Sequence, residues 1–197
     1  AIAHDAGARV EVIIATAWDC PFDGPTPAQR VLDIVDAAVG FGADRLAIAD
    51  TIGTTTPGRV TALVNQVRPR IGELPLGAHF HNTRGAGLAS AYAAVAAGVT
   101  RLDSSVGGLG GCPFAPGASG NIATEDLVYL LERSGVDTGR PPMTHTSSDL
   151  ICSSCTITPG RFRVCGTINS IGVESSIQRA PCSAAPAWRR PRATPRA

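Results

Sequence analysis

The chain contains no lysine: all 17 of its basic side chains are arginine, in 197 residues. Aromatic residues make up only 5%, and there is a single methionine. No stretch approaches the roughly 18 consecutive apolar residues of a membrane span. The first residues show no basic, apolar and small-residue pattern of a secretory leader. No membrane partner is expected, and with no targeting signal in view the expected location is cytoplasmic. The net charge of +1 hides an asymmetry, because residues 1–139 carry 9 Arg against 14 Asp and Glu while residues 140–197 carry 8 against 2. Without lysine and with little aromatic interleaving, that basic tail does not read as a nucleic-acid surface. Nothing marks an oxidising compartment, so the six cysteines are read as thiols.

What is present supports a core: 44% of the residues are hydrophobic, enough for one domain of ordinary size. Four strand-and-helix units repeat. VEVIIATAW (10–18) has the β-branched pattern of a buried strand. In the helix that follows, Thr26 is the expected N-cap, Pro27 the first helical residue and Gln29 the partner in a capping box. Val31, Ile34, Val35 and Ala38 form its expected apolar face. RLAIADTIG (45–53) is the second strand, and Thr56-Pro57 opens the second helix in the same way. PLGAHFHN (75–82) and TRLDSSV (100–106) are the third and fourth strands, followed by helices over 85–99 and 123–135. Such alternation predicts an α/β fold of parallel βαβ units, either a doubly wound sheet or part of a (β/α)8 barrel. A full barrel takes about 250 residues, so four units make about half of one. The opening AIAHDAGARVEV reads as the tail of a helix running into a strand, so a piece of a longer chain is expected.

After Gly139 the character changes. The segment 140–197 has no sustained helical period and is rich in Pro, Ser, Cys and Arg. Three readings stand: a disordered tail, a small metal-binding appendage, or translation in a shifted frame, with the first and last favoured. Cys152 and Cys155 form a CxxC with His145 and Cys165 nearby, but the spacing matches no regular zinc pattern. The division expected is therefore 1–139 as a barrel-type domain and 140–197 as an irregular tail.

Several residues in the patterned region can carry chemistry. His79 and His81 stand at i and i+2 near the end of a strand, so both imidazoles face one way. They are either two metal ligands or a pair of polar residues at a strand mouth. Asp50 ends an apolar strand and faces the same mouth, as a substrate or proton-handling acid or as a cap for the next turn. The loop SSVGGLGGCPFAPGASGN (104–121) holds six glycines among eighteen residues and places Cys112 between Gly111 and Pro113. A cysteine on so open a loop fits a thiol that reaches into a site as nucleophile or general acid–base. Asn121 offers a neutral oxygen to a divalent cation. Glu125 either caps the last helix or supports a ligand from behind. Cys20, in DCPFDG at the end of the first strand, is a weaker echo of Cys112.

Together, SSVGGLGGCPFAPGASGNIATEDLVYLLE, ADTIGTTTPG, HFHNTRGAGLASAYAAVAAGV and DCPFDG closely resemble 3-hydroxy-3-methylglutaryl-CoA lyases, over about residues 1–139. The resemblance implies a partial (β/α)8 TIM barrel, its four C-terminal βα units. It also implies cleavage of 3-hydroxy-3-methylglutaryl-CoA to acetyl-CoA and acetoacetate, as in leucine degradation, with Mg2+ or Mn2+. In that family His79, His81 and Asn121 would be metal ligands. Cys112 would be the mobile-loop catalytic thiol, Asp50 the active-site acid, and Glu125 a residue supporting the ligands. An acyl-CoA is the implied substrate, and a homo-oligomer the implied assembly. The strands that would supply a further metal-binding Asp and an adjacent Arg precede the residues in this chain, so weak or absent turnover is expected of it. Other readings are a related metal-dependent aldolase, an isopropylmalate-synthase-like acyltransferase, or a catalytically dead remnant.

Overall fold

In the computed structural model of the chain, residues 2–112, 115 and 117–139 and the backbone of 163–166 are described. A short helix α1 (Ile2–Asp5) precedes strand β1 (Glu11–Ile14) and a two-stranded hairpin, β2 (Asp19–Cys20) and β3 (Gly24–Pro25). Then come α2 (Ala28–Gly40), β4 (Arg45–Asp50), α3 (Pro57–Ile71), β5 (Leu76–Phe80), α4 (Gly87–Ala96), β6 (Arg101–Ser104), a 3-10 turn (Val106–Gly108) and α5 (Thr124–Arg133). The last strand is β7 (Arg163–Gly166). The sheet runs in the order β1-β4-β5-β6-β7 and every pairing is parallel.

The expected order of four parallel strand-and-helix units holds. Helices α2, α3, α4 and α5 pack each against the next, so they cover one face of the sheet. That face is the apolar core: Ile14, Leu46, Ile48, Leu76, Ala78, Phe80 and Leu102 meet Val31, Val35, Val60, Val64, Leu127 and Leu131. The alternate residues belong to the other face, where Ala47 registers with Gly77 and Gly77 with Arg101, then Ala49 with His79 and His79 with Asp103. A doubly wound sheet would be helix-covered on both faces. A sheet wound on one side, with polar residues on the inner face, is the arrangement of a barrel segment.

Several local expectations are corrected. Strand β1 stops at Ile14, because Thr16 adopts φ 50°, a left-handed conformation that is costly for a β-branched residue. Two hydrogen bonds hold it there: Thr16 N–H donates to Thr51 Oγ1 at 2.9 Å, and Thr26 Oγ1 donates to Thr16 O at 2.7 Å. Thr26 is thus committed to the turn that follows β1 and does not cap α2. The extended residue before α2 is Pro27, and no side chain among the described residues caps that helix. Gln29 bonds Asp33 instead of closing a capping box. Thr56 does occupy the N-cap position of α3, with Pro57 next, but its side chain makes no capping bond. On α2 the buried stripe is Val31, Leu32, Val35 and Ala38, with Ile34 41% exposed, because the helix turns toward β1 and α3.

Of the segment 140–197 only β7 is described, and it adds a parallel strand where no strand is expected from the sequence. His145, Cys152 and Cys155 lie outside the described residues, as do all but the backbone of Cys165.

Phe80 ends β5 fully buried, with its ring 5.8 Å from that of Trp18. Phe80→Ala is expected to lower the unfolding free energy by about 3–5 kcal/mol in urea titration. A loss within the ordinary surface range of about 0.5 kcal/mol would mean that this junction of β5 with the β1 mouth does not hold the core.

Candidate functional site

The site assembles at the C-terminal ends of the parallel strands. β5 delivers His79 and, one residue past its end, His81. Their ring centroids are 5.2 Å apart. Beside them the chain returns from the glycine loop. His81 forms an isolated antiparallel bridge with Asn121, and Ser105 a parallel bridge with Ala123. Ile122 N–H donates to Phe80 O at 3.3 Å and Ser105 N–H to Ile122 O at 3.2 Å. The segment 120–123 is therefore threaded between the ends of β5 and β6. Opposed residues of a bridge point to the same side, so Asn121 and His81 share a face.

Two glycines make this threading possible. A Cβ on Gly120 would stand 2.2 Å from Gly108 O and 2.5 Å from Gly110 O. One on Gly87 would stand 2.5 Å from Ile122 Cγ2 and 2.9 Å from His81 O. The loop is further stitched by Asn121 N–H to Gly110 O at 3.1 Å, Asn82 N–H to Gly120 O at 3.1 Å and Ser119 N–H to Thr83 Oγ1 at 3.0 Å. Asn121 Nδ2 donates to Leu109 O at 2.9 Å, which fixes the amide and turns Oδ1 away.

The polar atoms left over are informative. His81 Nδ1 and Asn121 Oδ1 are both buried without a hydrogen-bond partner among the described residues. Burial lowers the pKa of His79 below its usual range. It lowers that of His81 too, helped by repulsion from His79 and opposed by attraction to Asp50. Both imidazoles are therefore neutral near pH 7, with lone pairs free to bind a cation. Among the described residues no three His, Cys, Asp or Glu side chains converge on one point. The candidate donor set is two imidazoles and an amide oxygen, types that suit a divalent cation with open positions. These orphaned atoms fit such an ion.

Asp50 is buried, and it makes the turn-capping contacts: Oδ1 accepts from Thr54 N–H at 3.2 Å and Oδ2 from Thr55 N–H at 3.0 Å. Burial raises its pKa above the usual carboxylate range, against the backbone amides of Thr55, Thr54 and Gly53 and with some repulsion from Asp19. Cys112 is partly buried and outside any disulfide among the described residues, and its carbonyl accepts from Ala115 N–H at 3.0 Å. Glu125 Oε1 accepts from Gly107 N–H at 2.8 Å, so the carboxylate ties the start of the glycine loop to α5. Cys20 sits in the hairpin between β1 and α2, partly buried.

Sequence reasoning missed two groups here. Arg59 grips Asp19 through both nitrogens, at 2.7 and 3.0 Å, while Thr54 Oγ1 donates to Asp19 at 2.7 Å. The guanidinium holds Asp19 below the usual carboxylate range, and the cluster clamps the hairpin onto the turn that follows Asp50. Asp103 is the second: it pairs in register with His79 and approaches it to 3.8 Å. Its signal was the alternation in TRLDSS, which puts Arg101 and Asp103 on the face opposite Leu102.

A family profile described as HMGL-like matches residues 2–147, running past Gly139 into the tail. The chain is 46% identical over 133 residues to an (R)-citramalyl-CoA lyase of Chloroflexus aurantiacus, covering 68% of this chain and 42% of that protein. It is 39% identical over 136 residues to a hydroxymethylglutaryl-CoA lyase of Bacillus subtilis, covering 69% and 46%. Among solved structures it resembles an HMG-CoA lyase of Acinetobacter baumannii in complex with coenzyme A and 3-methylmalate, with 43% identity, a TM-score of 0.63 and 66% and 43% of the two chains covered. The chain thus spans under half the length of the relatives it matches. On the profile match over 2–147 and these identities, it belongs to the HMGL-like family.

Proposed function

We propose that this chain carries the cation- and thioester-handling part of a carbon–carbon lyase that cleaves 3-hydroxy-3-methylglutaryl-CoA to acetyl-CoA and acetoacetate. The observation that carries this reading is the pair of adjacent imidazoles, His81 set opposite Asn121, with His81 Nδ1 and Asn121 Oδ1 buried and without a hydrogen-bond partner among the described residues. His79, His81 and Asn121 would hold a divalent cation, Mg2+ or Mn2+. Bound there, the cation supplies Lewis-acid stabilisation of developing oxyanion charge.

The remaining work falls to the chain's own groups. Cleavage begins with loss of the proton on the substrate's tertiary hydroxyl. Asp50, whose affinity for a proton is raised by burial, positions or receives that proton at its carboxylate. As the C–C bond breaks, its electron pair moves into the thioester enolate and the carbinol carbon becomes the ketone of acetoacetate. The Cys112 thiol donates its proton to the enolate carbon, completing acetyl-CoA. The glycine loop presents that thiol, and closure over bound thioester would exclude water from the enolate. Glu125 steadies the loop at Gly107. A second reading is (R)-citramalyl-CoA as substrate, favoured by the 46% identity to the lyase of that name.

Isothermal titration tests the cation site. The chain is expected to bind Mn2+ saturably, and His79→Ala to abolish that binding while keeping the circular dichroism of the parent. Titrations that are flat in both would remove the site. The thiol is tested in a fusion of this chain to the uncovered half of the Bacillus subtilis relative. There, Cys112→Ser is expected to lower kcat by about 100-fold or more, the usual scale of a general acid. A change of under about twofold would take Cys112 out of the chemistry. A larger kcat/KM for citramalyl-CoA than for 3-hydroxy-3-methylglutaryl-CoA in the same fusion would select the second substrate.

A further inference from the structure

The inner face of the sheet carries a line of charge that none of the roles above uses. It starts low on the edge strand, at Glu11 of β1, and climbs to the mouth at His79. Arg101 Nη2 meets Glu11 Oε1; Arg101 Nε lies 3.8 Å from Asp103 Oδ1; Asp103 Oδ2 lies 3.8 Å from His79 Nδ1. The side chains of Arg101 and Asp103 are only 13% and 16% exposed. Arg101 spans from β6 to β1 across β5 and β4 because the residues beneath it are small. A Cβ on Gly77 would stand 3.1 Å from Arg101 Nη2 and 3.3 Å from the Ala47 methyl.

Charges this far from water need partners. Glu11 and Asp103 share the guanidinium, and Asp103 then has one oxygen toward Arg101 and one toward the imidazole. Asp103 and His79 are register partners on adjacent strands, so their backbones fix the approach. In a neutral imidazole, the group that faces one nitrogen decides which nitrogen keeps the proton.

We propose that Asp103 is a positioning residue for His79: its carboxylate holds the Nδ1–H tautomer and the ring orientation, leaving the Nε2 lone pair for a divalent cation, while Arg101 and Glu11 anchor the carboxylate from behind. This rests on the cation-binding reading of His79 given above. Asp103 touches neither cation nor substrate in this role; it acts through the ring.

Two measurements on the whole chain test it. In the metal-free protein, the 15N shifts of the His79 imidazole report the tautomer. The expected result is Nδ1–H in the parent and a shift toward Nε2–H in Asp103→Ala. Isothermal titration with Mn2+ is expected to show about 10–100-fold weaker binding for Asp103→Ala, the scale seen when a partner behind a ligating histidine is removed. Asp103→Asn, which keeps an acceptor oxygen, is expected to fall between. A parent chain whose His79 carries its proton on Nε2 overturns the proposal with no substitution needed. So does an Asp103→Ala chain that keeps both tautomer and affinity. If the parent and His79→Ala titrate alike, the cation reading fails, and the tautomer alone still decides whether Asp103 orients the ring.

Discussion

A methyl group on residue 120 would lie 2.2 Å from one carbonyl oxygen and 2.5 Å from another, so the backbone there passes where no side chain fits. Everything at the mouth of the sheet depends on that passage. It lets the segment 120–123 slide between the ends of β5 and β6 and bond to both. Asn121 is thereby set opposite His81, with its amide nitrogen spent on Leu109 and its oxygen without a hydrogen-bond partner among the described residues. Gly87 gives the same service from α4, where a Cβ would collide with Ile122 and the His81 carbonyl. The glycines flanking Cys112 are thus not all there for motion. Several are there so that the two ends of the loop can touch.

The two faces of the sheet divide the labour. On the helix side, large aliphatic side chains exclude water and supply the stability. On the inner side, Ala47, Ala49 and Gly77 leave room for a few long polar groups. That spareness lets Arg101 reach across strands to Glu11. A side chain at position 77 would crowd the guanidinium, since a Cβ there would stand 3.1 Å from Arg101 Nη2. Stability and chemistry are therefore built from alternate residues of the same strands, LAIAD and LGAHF, by the period of two.

Much of this was legible in the chain itself. The apolar runs and the Thr-Pro and glycine punctuation mark β1, β4, β5, β6 and their helices, because burial of one stripe per element is a local property. The HxH spacing marks the paired imidazoles for the same reason. Capping was less legible. Thr26 has the composition of an N-cap, yet its hydroxyl serves the strained Thr16 two elements earlier, a contact 10 residues away that no local rule contains. Ile34 was misplaced on α2 because the direction a helix faces is set by its neighbours.

The order and type of the elements, the pair of histidines on one face of a strand and the cysteine on a glycine-rich loop can all be read along the chain. Each follows from periodicity or from residue types within a few positions. Packing alone settles that the helices lie on one side of the sheet, that Asn121 faces His81, and that Asp103 stands beside His79. The two side-chain relations join residues 40 and 24 positions apart, and they are fixed by strand register and by how closely two backbones can approach, quantities that exist only once the chain has packed.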